Sequence, residues 1–151
     1  MSSQYVKLYE RQLETTIRVS KKTPEDARLR KLERWPREVG ISMALSEDGV
    51  NFMQLVKNTA ADYGVELGEK RWNVNRRDNL ITVEFELPFL KNGETVGRAY
   101  ACFEVGLSPV AETDSDVEYP VKARFLIELQ DKLVAEKASV SEVPDMSGFG
   151  F

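Results

Sequence analysis

The chain has 151 residues, of which 42% are hydrophobic and 30% charged, and its formal net charge is −4. A chain of this size can bury enough apolar surface to fold without a disulfide or a metal ion. It contains no histidine and one cysteine, Cys102, which excludes catalytic triads, Cys–His pairs, histidine metal sites and an intramolecular disulfide.

Further functional classes are excluded by motifs that the sequence lacks. It has no GxGxxG or P-loop motif for a nucleotide and no apolar run near the roughly 18 residues of a membrane span, and residues 1–7 lack the apolar core expected of a signal peptide. We therefore expect a cytoplasmic, non-enzymatic protein with no cofactor, no metal and no membrane partner. A small enzyme that uses Asp or Glu side chains with a metal ion is the one catalytic class left open.

The N-terminal segment is predicted to be helical over residues 4–14. Its apolar residues recur at i+4 spacing: Tyr5, Tyr9, Leu13 and Ile17. The β-branched cluster at 15–19 favours a strand, so the end of this element stays open. A second helix is expected to begin at Thr23-Pro24 and to end at about Trp35, before Pro36. The two helices would form a helical N-terminal part over 4–35.

The next predicted elements are a strand and a third helix. Residues 39–45 alternate between apolar and polar or small side chains, which predicts a strand. Ser46-Glu47-Asp48 has the composition of a helix start, and the helix is expected over about 50–63, with Gly64 as the left-handed residue that ends it. Its apolar stripe consists of Phe52, Leu55, Val56, Ala60 and Tyr63.

The clearest predicted element is a β-hairpin over 80–107. Apolar residues alternate in both strands: Ile81, Val83, Phe85, Leu87 and Phe89, then Ala99, Ala101, Phe103 and Val105. A two-residue turn at Asn92-Gly93 would put the two apolar sets on opposite faces of the hairpin. A three-residue loop over 91–93 puts them on one face, with Gly93 left-handed. We therefore predict the three-residue loop, which also sets Glu86 opposite Arg98.

Polar side chains occupy the other face of this hairpin. They are Thr82, Glu84, Glu86, Arg98, Tyr100, Cys102 and Glu104. This face is suited to solvent or to a wet interface. Since no basic residue neighbours Cys102 in the sequence, we expect an inert, half-exposed thiol there.

The last predicted elements are an acidic loop over 108–120 and a helix over 121–137. The loop lacks the central glycine and the distal glutamate of an EF-hand, so we expect a solvated loop and no calcium site. The helix is inferred from apolar residues at i+4 spacing: Val121, Phe125, Leu129 and Leu133. The run 123–129 is also consistent with a buried strand.

These elements predict an α+β fold in a single domain over 1–137. A short antiparallel sheet centred on the hairpin would be covered by the helices over 50–63 and 121–137, and the N-terminal helices would be peripheral. Residues 138–151 would form a flexible or docking C-terminal tail.

Basic residues are concentrated in two places. Residues 1–37 carry ten Lys or Arg and five Asp or Glu, and the octet 70–77 carries four basic residues and no acid. Single-stranded nucleic acid is bound by cations that contact its phosphates and by flat side chains that stack on its bases. The predicted contact residues are Arg71, Trp72, Arg76 and Arg77, with Arg34 and Arg37 from the N-terminal segment. The alternative is that Trp72 anchors the core and the arginines neutralise acidic stretches.

The tail contains Ser, Gly and Pro and ends on Phe149-Gly150-Phe151. Exposed aromatic residues beside glycines suggest that a partner receives them, so Phe149 and Phe151 are the predicted partner-docking residues. The tail is loosely similar to the partner-docking tails of bacterial and phage single-stranded-DNA-binding proteins, which are acidic and end in an aromatic residue. It departs from them in having no aspartate run.

Two functions follow as expectations. The first is a non-enzymatic, homo-oligomeric protein that binds single-stranded DNA or RNA and docks a protein partner through its tail. The second is a structural or assembly subunit of a virion or other multi-subunit particle, with the C-terminal arm exchanged between neighbouring subunits.

Overall fold

A seven-stranded antiparallel sheet that curls into a half-barrel forms most of the protein. The computed structural model describes residues 4–138. The strands are β1 (Tyr5–Ser20), β2 (Glu66–Leu67), β3 (Arg71–Arg77), β4 (Leu80–Lys91), β5 (Glu94–Gly106), β6 (Ala111–Glu112) and β7 (Asp116–Gln130). The sheet order is β1-β7-β5-β4-β2, with β3 also paired to β4 and β6 to β7.

Two α-helices and a short 3-10 helix lie between β1 and β2. They are α1 (Glu25–Glu38), the 3-10 helix (Gly40–Ser42) and α2 (Phe52–Tyr63). A further helix, α3, covers 131–138 at the end of the described residues. Within those residues, none of the helices is long and apolar enough to cross a membrane.

The predicted α+β fold with a short sheet is wrong, because two predicted helices are long strands. Residues 5–14 belong to β1, and most of 121–137 belongs to β7, which pairs with β1 along their whole lengths. An i+4 spacing is also two repeats of a period-2 strand, so the apolar positions alone did not distinguish the two structures. The alternative of a buried strand at 123–129 was right, and the β-branched cluster at 15–19 lies within β1.

A β-bulge at Leu8 explains the irregular burial along β1. The register with β7 shifts between Lys7 and Tyr9. One extra residue on one strand lets two consecutive side chains face the same side. Leu8 and Tyr9 accordingly both pack against the core.

The N-terminal helix α1 runs further and lies deeper than predicted. It continues to Glu38 with Pro36 inside it, and the Thr23 side chain does not cap it. Leu32 is 1% exposed, and the Trp35 ring packs edge-on against Phe103 with centroids 6.1 Å apart. The helix is therefore part of the core, whereas a peripheral position was expected.

The predicted strand over 39–45 is also wrong. The chain there forms the 3-10 helix, and only Ala44 makes an isolated bridge, to Asn51. A β-carbon on Gly40 would lie 2.7 Å from the Phe103 ring, so the glycine allows the backbone to approach the core closely.

The helix α2 was predicted almost correctly. Its cap is Asn51, whose side chain accepts a hydrogen bond from the Gln54 backbone at 2.9 Å, so Ser46-Glu47-Asp48 is not its start. Gly64 ends it in the left-handed conformation with φ of 63°, as predicted.

The hairpin β4–β5 forms, and both apolar sets face the core, but the predicted loop is wrong. Lys91 pairs with Glu94 across a two-residue Asn92-Gly93 turn in which both φ angles are positive. A bulge follows, since Leu90 pairs with Thr95 and Phe89 with Gly97. This one-residue shift returns the two apolar sets to one face. Residue Arg98 consequently lies opposite Pro88, and Glu86 opposite Tyr100.

The core lies between the concave face of the sheet and the helices α1 and α2. Phe52 of α2 is fully buried, and its ring lies 5.1 Å from that of Phe125 and 6.5 Å from that of Phe85. This aromatic cluster joins α2 to strands that are distant in the sequence.

Candidate nucleic-acid interface

The octet 70–77 lies on and beside β3, an edge strand that pairs with β4. In this register Trp72 is opposite Phe85 and Val74 is opposite Val83, so these side chains face the concave side. Arg71 and Arg77 belong to the alternate set and face the convex side. The structure therefore divides the predicted nucleic-acid residues between the two faces of one strand.

Trp72 is half-buried between the core and an arginine. Its ring centroid lies 4.9 Å from that of Phe85, and the Arg37 guanidinium carbon lies 5.1 Å from the Trp72 centroid. The ring packs on the core, as the alternative interpretation of Trp72 predicted, and Arg37 covers it at the surface. A base can stack on the face that Arg37 covers only after Arg37 moves away.

Arg76 connects β3 to α1 through an ion pair with Glu33. The hydrogen bond to this carboxylate raises the pKa of Arg76. Because Glu33 and Arg37 are four residues apart on α1 and both contact β3, this side of α1 faces the edge strand.

Arg30 and Arg34 lie on the same side of α1, one turn from Glu33 and Arg37. Both are exposed, and Arg30, Arg34 and Arg37 make no ion pair with any residue in the described range. We define the α1–β3 basic surface by four arginines, one glutamate and the tryptophan between them: Arg30, Glu33, Arg34, Arg37, Trp72 and Arg76. The four arginines outnumber the one acid, so the surface carries a net positive charge.

The two other predicted arginines lie at the rim. Arg71 is opposite Glu86 on the convex face, and Arg77 is exposed beside the turn that leads into β4. Glu86 also accepts a hydrogen bond from Arg98 at 3.1 Å. Arg71 therefore has a carboxylate opposite it, whereas Arg34 and Arg37 share one side of α1 with Arg30.

The polar face of the hairpin is largely paired within itself. Arg98 donates to Glu128 at 2.8 Å as well as to Glu86, and so connects three strands. The Tyr100 hydroxyl donates to Glu84 at 2.5 Å, and the Arg98 guanidinium lies over the Tyr100 ring. Burial, followed by the hydrogen bond to Glu84, raises the pKa of Tyr100. This network stabilises the convex face.

Cys102 lies half-buried on the same face. Burial raises the pKa of its thiol. A protonated, partly covered thiol is a poor nucleophile, so the geometry offers no support for a catalytic cysteine.

The acidic stretch after β5 neutralises part of the first basic region. Glu118 accepts from Arg18 at 2.9 Å, and Glu112 lies 3.5 Å from Lys21. Among the residues that the structure describes, no group of three or more Cys, Asp or Glu side chains could hold a metal ion.

The prediction of Arg34, Arg37, Trp72 and Arg76 relied on composition and did not include the packing of α1 beside β3. Glu33 was missed, because the signal for its role is the packing of α1 beside β3, and no local pattern carries that information. The tail residues Phe149 and Phe151 lie outside the described residues.

No protein-family model matches the chain, and comparison with curated proteins and with solved structures finds no significant similarity.

Proposed function

We propose that the protein binds single-stranded DNA or RNA, without catalysis, through the α1–β3 basic surface. The observation that carries the proposal is that α1 and β3 together present four arginines, of which Arg37 lies over the half-buried Trp72 ring and Arg76 joins the two elements. Guanidinium groups bind phosphate oxygens, and aromatic rings stack on bases. Elsewhere on the described surface, many of the arginines are already paired with carboxylates, such as Arg18, Arg98 and Arg124.

Trp72 and Arg37 would act in turn during binding. A phosphate draws Arg37 away from the Trp72 ring, because a charge-assisted hydrogen bond to phosphate is stronger than an exposed cation–π contact. The uncovered ring then becomes a stacking surface for one base. Phe85, behind the ring, keeps Trp72 in place during this exchange.

The salt dependence of binding follows from the number of phosphate contacts. Each contact to a single strand contributes about −0.7 to the slope of log affinity against log salt, so the three arginines without an ion pair, Arg30, Arg34 and Arg37, give a slope of about −2.1. The affinity should then fall about 20-fold between about 50 and 200 mM salt.

The test is a pair of matched double variants in a fluorescence-anisotropy assay with a labelled single-stranded oligonucleotide. Arg34→Gln/Arg37→Gln removes two cations from the surface. Each cation raises the affinity about 8-fold at about 50 mM salt, so the dissociation constant of the double variant should rise by about 60-fold. Lys91→Gln/Lys132→Gln removes the same charge from exposed positions near the β4–β5 turn. Equal affinities of the two variants would contradict the proposal.

A cytoplasmic location and partner docking through Phe149 and Phe151 belong to the same proposal. Deletion of residues 140–151 should leave oligonucleotide affinity unchanged and abolish retention of the docking partner. A loss of oligonucleotide affinity on deletion would instead assign the tail to the nucleic-acid site.

The second candidate function is an assembly subunit of a multi-subunit particle. It is favoured by the long strand β1, whose outer edge has no strand partner within the described residues. In that case the protein would form salt-sensitive oligomers that dissociate when residues 140–151 are removed.

A further inference from the structure

β1 is an edge strand of unusual length. It has 16 residues and pairs with β7 on one side, and no other described strand pairs with it. Its other edge therefore presents a row of backbone N–H and C=O groups without a strand partner. Proteins normally protect such edges with short strands, proline or unpaired charges.

From Tyr9 onwards, beyond the bulge at Leu8, the protection expected of an edge strand is weak in β1. It contains no proline and no glycine. Two of its charges are turned towards the neighbouring strand, because Arg124 donates to Glu10 at 2.9 Å and Arg18 donates to Glu118. The concave side of the strand carries Tyr9 and Leu13, which are only half-buried although they pack against the core.

We propose that β1 pairs antiparallel with β1 of a second copy of the chain, with the two-fold axis beside Leu13. A two-fold axis perpendicular to the sheet keeps each face continuous and makes the contact self-complementary. The paired residues on the concave face would be Leu13 with Leu13, Tyr9 with Ile17, and Arg11 with Thr15. On the convex face they would be Gln12 with Glu14 and Glu10 with Thr16.

This register is favoured by both charge and apolar contact. It places no like charges directly opposite each other between Tyr9 and Ile17. An axis beside Gln12 would oppose Glu10 to Glu14, and an axis beside Arg11 or Glu14 would oppose that residue to itself. The chosen axis also pairs an aromatic with a β-branched side chain twice, which is a stabilising cross-strand combination.

An axis beside Thr15 also avoids like charges, but it leaves Tyr9 without a partner and sets Arg11 opposite Val19. The axis beside Leu13 instead covers Tyr9 and Leu13 of both copies, which are half-buried and gain the most from being covered, whereas Ile17 opposite Tyr9 is already buried and only 4% exposed.

The dimer is independent of the nucleic-acid proposal, because β1 and β3 lie at opposite edges of the sheet. Pairing through β1 leaves both α1–β3 basic surfaces exposed. A monomeric protein could still bind nucleic acid, and a dimeric one could fail to.

The first test is sedimentation of the full chain across a wide range of concentrations, with charge variants at Gln12. The two-fold axis places residue 12 of each copy opposite Glu14 of the other. Gln12→Lys should therefore lower the dissociation constant of the dimer about five-fold, whereas Gln12→Glu should raise it about five-fold. With the axis beside Thr15 the signs would reverse, since Gln12 would then face Arg18. A monomer at every concentration would overturn the proposal, and reversed signs would overturn the register.

The second test is disulfide cross-linking in a Cys102→Ser background. Residues on the axis have α-carbons about 4.5–5.5 Å apart, within the reach of a disulfide. Leu13→Cys should therefore form a covalent dimer on oxidation. Thr15→Cys should not, because the two positions would lie about 13 Å apart along the strands. Cross-linking at Thr15 but not at Leu13 would contradict the proposed axis.

Discussion

A close approach between β5 and β7 at Gly97 can be tested by substitution. Gly97 of β5 lies opposite Phe89 of β4 and Leu129 of β7. A β-carbon at this position would lie 2.3 Å from the Glu128 carbonyl oxygen and 2.6 Å from Leu129 Cδ2. Both distances are too short for a real contact, and the first neighbour is backbone, so Gly97→Ala can be accommodated only if β5 and β7 separate locally.

The size of the effect follows from two opposing terms. Overpacking of this kind costs about 1–3 kcal/mol. Replacing glycine by alanine lowers the entropy of the unfolded chain, which offsets about 0.4–1 kcal/mol. We therefore expect the free energy of unfolding of Gly97→Ala to fall by about 1–2 kcal/mol.

Urea unfolding followed by tryptophan fluorescence measures this difference. With a slope of about 2 kcal/mol/M, the midpoint should fall by about 0.5–1 M. Gly93→Asn is the control in the same hairpin: its φ is 80° and no atom lies within 4 Å of a β-carbon there. Asparagine tolerates this conformation, so the control should lose less than about 1 kcal/mol. A Gly97→Ala variant as stable as the parent protein would refute the close β5–β7 approach.

Three further predictions concern the core and the convex face. Phe52→Ala should cost about 3–5 kcal/mol in urea unfolding, because it empties the space between the Phe85 and Phe125 rings; a loss below about 1 kcal/mol would contradict that packing. Because the pKa of Tyr100 is raised, its phenol contributes stability at neutral pH that is lost as the pH rises above about 10, and Tyr100→Phe should reduce this alkaline loss in unfolding titrations. Cys102 should react with iodoacetamide more slowly in the folded protein than in urea at the same pH, and equal rates would contradict its burial.

The parts of the fold that sequence reasoning predicted correctly are those with strong local signals. The hairpin β4–β5 has alternation over many residues, and α2 has a stripe that ends at Gly64. The Asn92-Gly93 turn was misassigned because a bulge at Val96 in β5 restores the register. Gly97 beside it is a sequence signal for a bulge that the prediction did not use.

The larger error was the prediction of helices over 4–14 and 121–137, where the structure has the strands β1 and β7. In both β1 and β7 the apolar residues recur at every fourth position. This spacing places side chains on one face of a helix, and it also places them on one face of a strand, because four residues are two strand repeats. These two strands pair with each other from opposite ends of the chain, so the contact that decides between helix and strand is long-range. A single sequence contains little information about such a contact.

The prediction of the candidate site relied on local composition for the same reason. Arg34, Arg37, Trp72 and Arg76 were chosen for their composition; in the structure Arg37 lies over the Trp72 ring, and Arg76 pairs with Glu33 of α1. The position of Glu33 and the cover of Arg37 over the tryptophan ring depend on how α1 packs beside β3. Arg71 and Arg77 were included by adjacency in the sequence, although strand alternation directs them to the convex face.

The central claim is that the α1–β3 basic surface holds a single strand by its phosphates. The most direct measurement is the dissociation constant of the full chain for a single-stranded oligonucleotide over a series of salt concentrations, beside Arg34→Gln/Arg37→Gln. We expect a slope of about −2.1 for the parent protein and about −0.7 for the variant. No binding at low salt, or the same slope for both proteins, would contradict it.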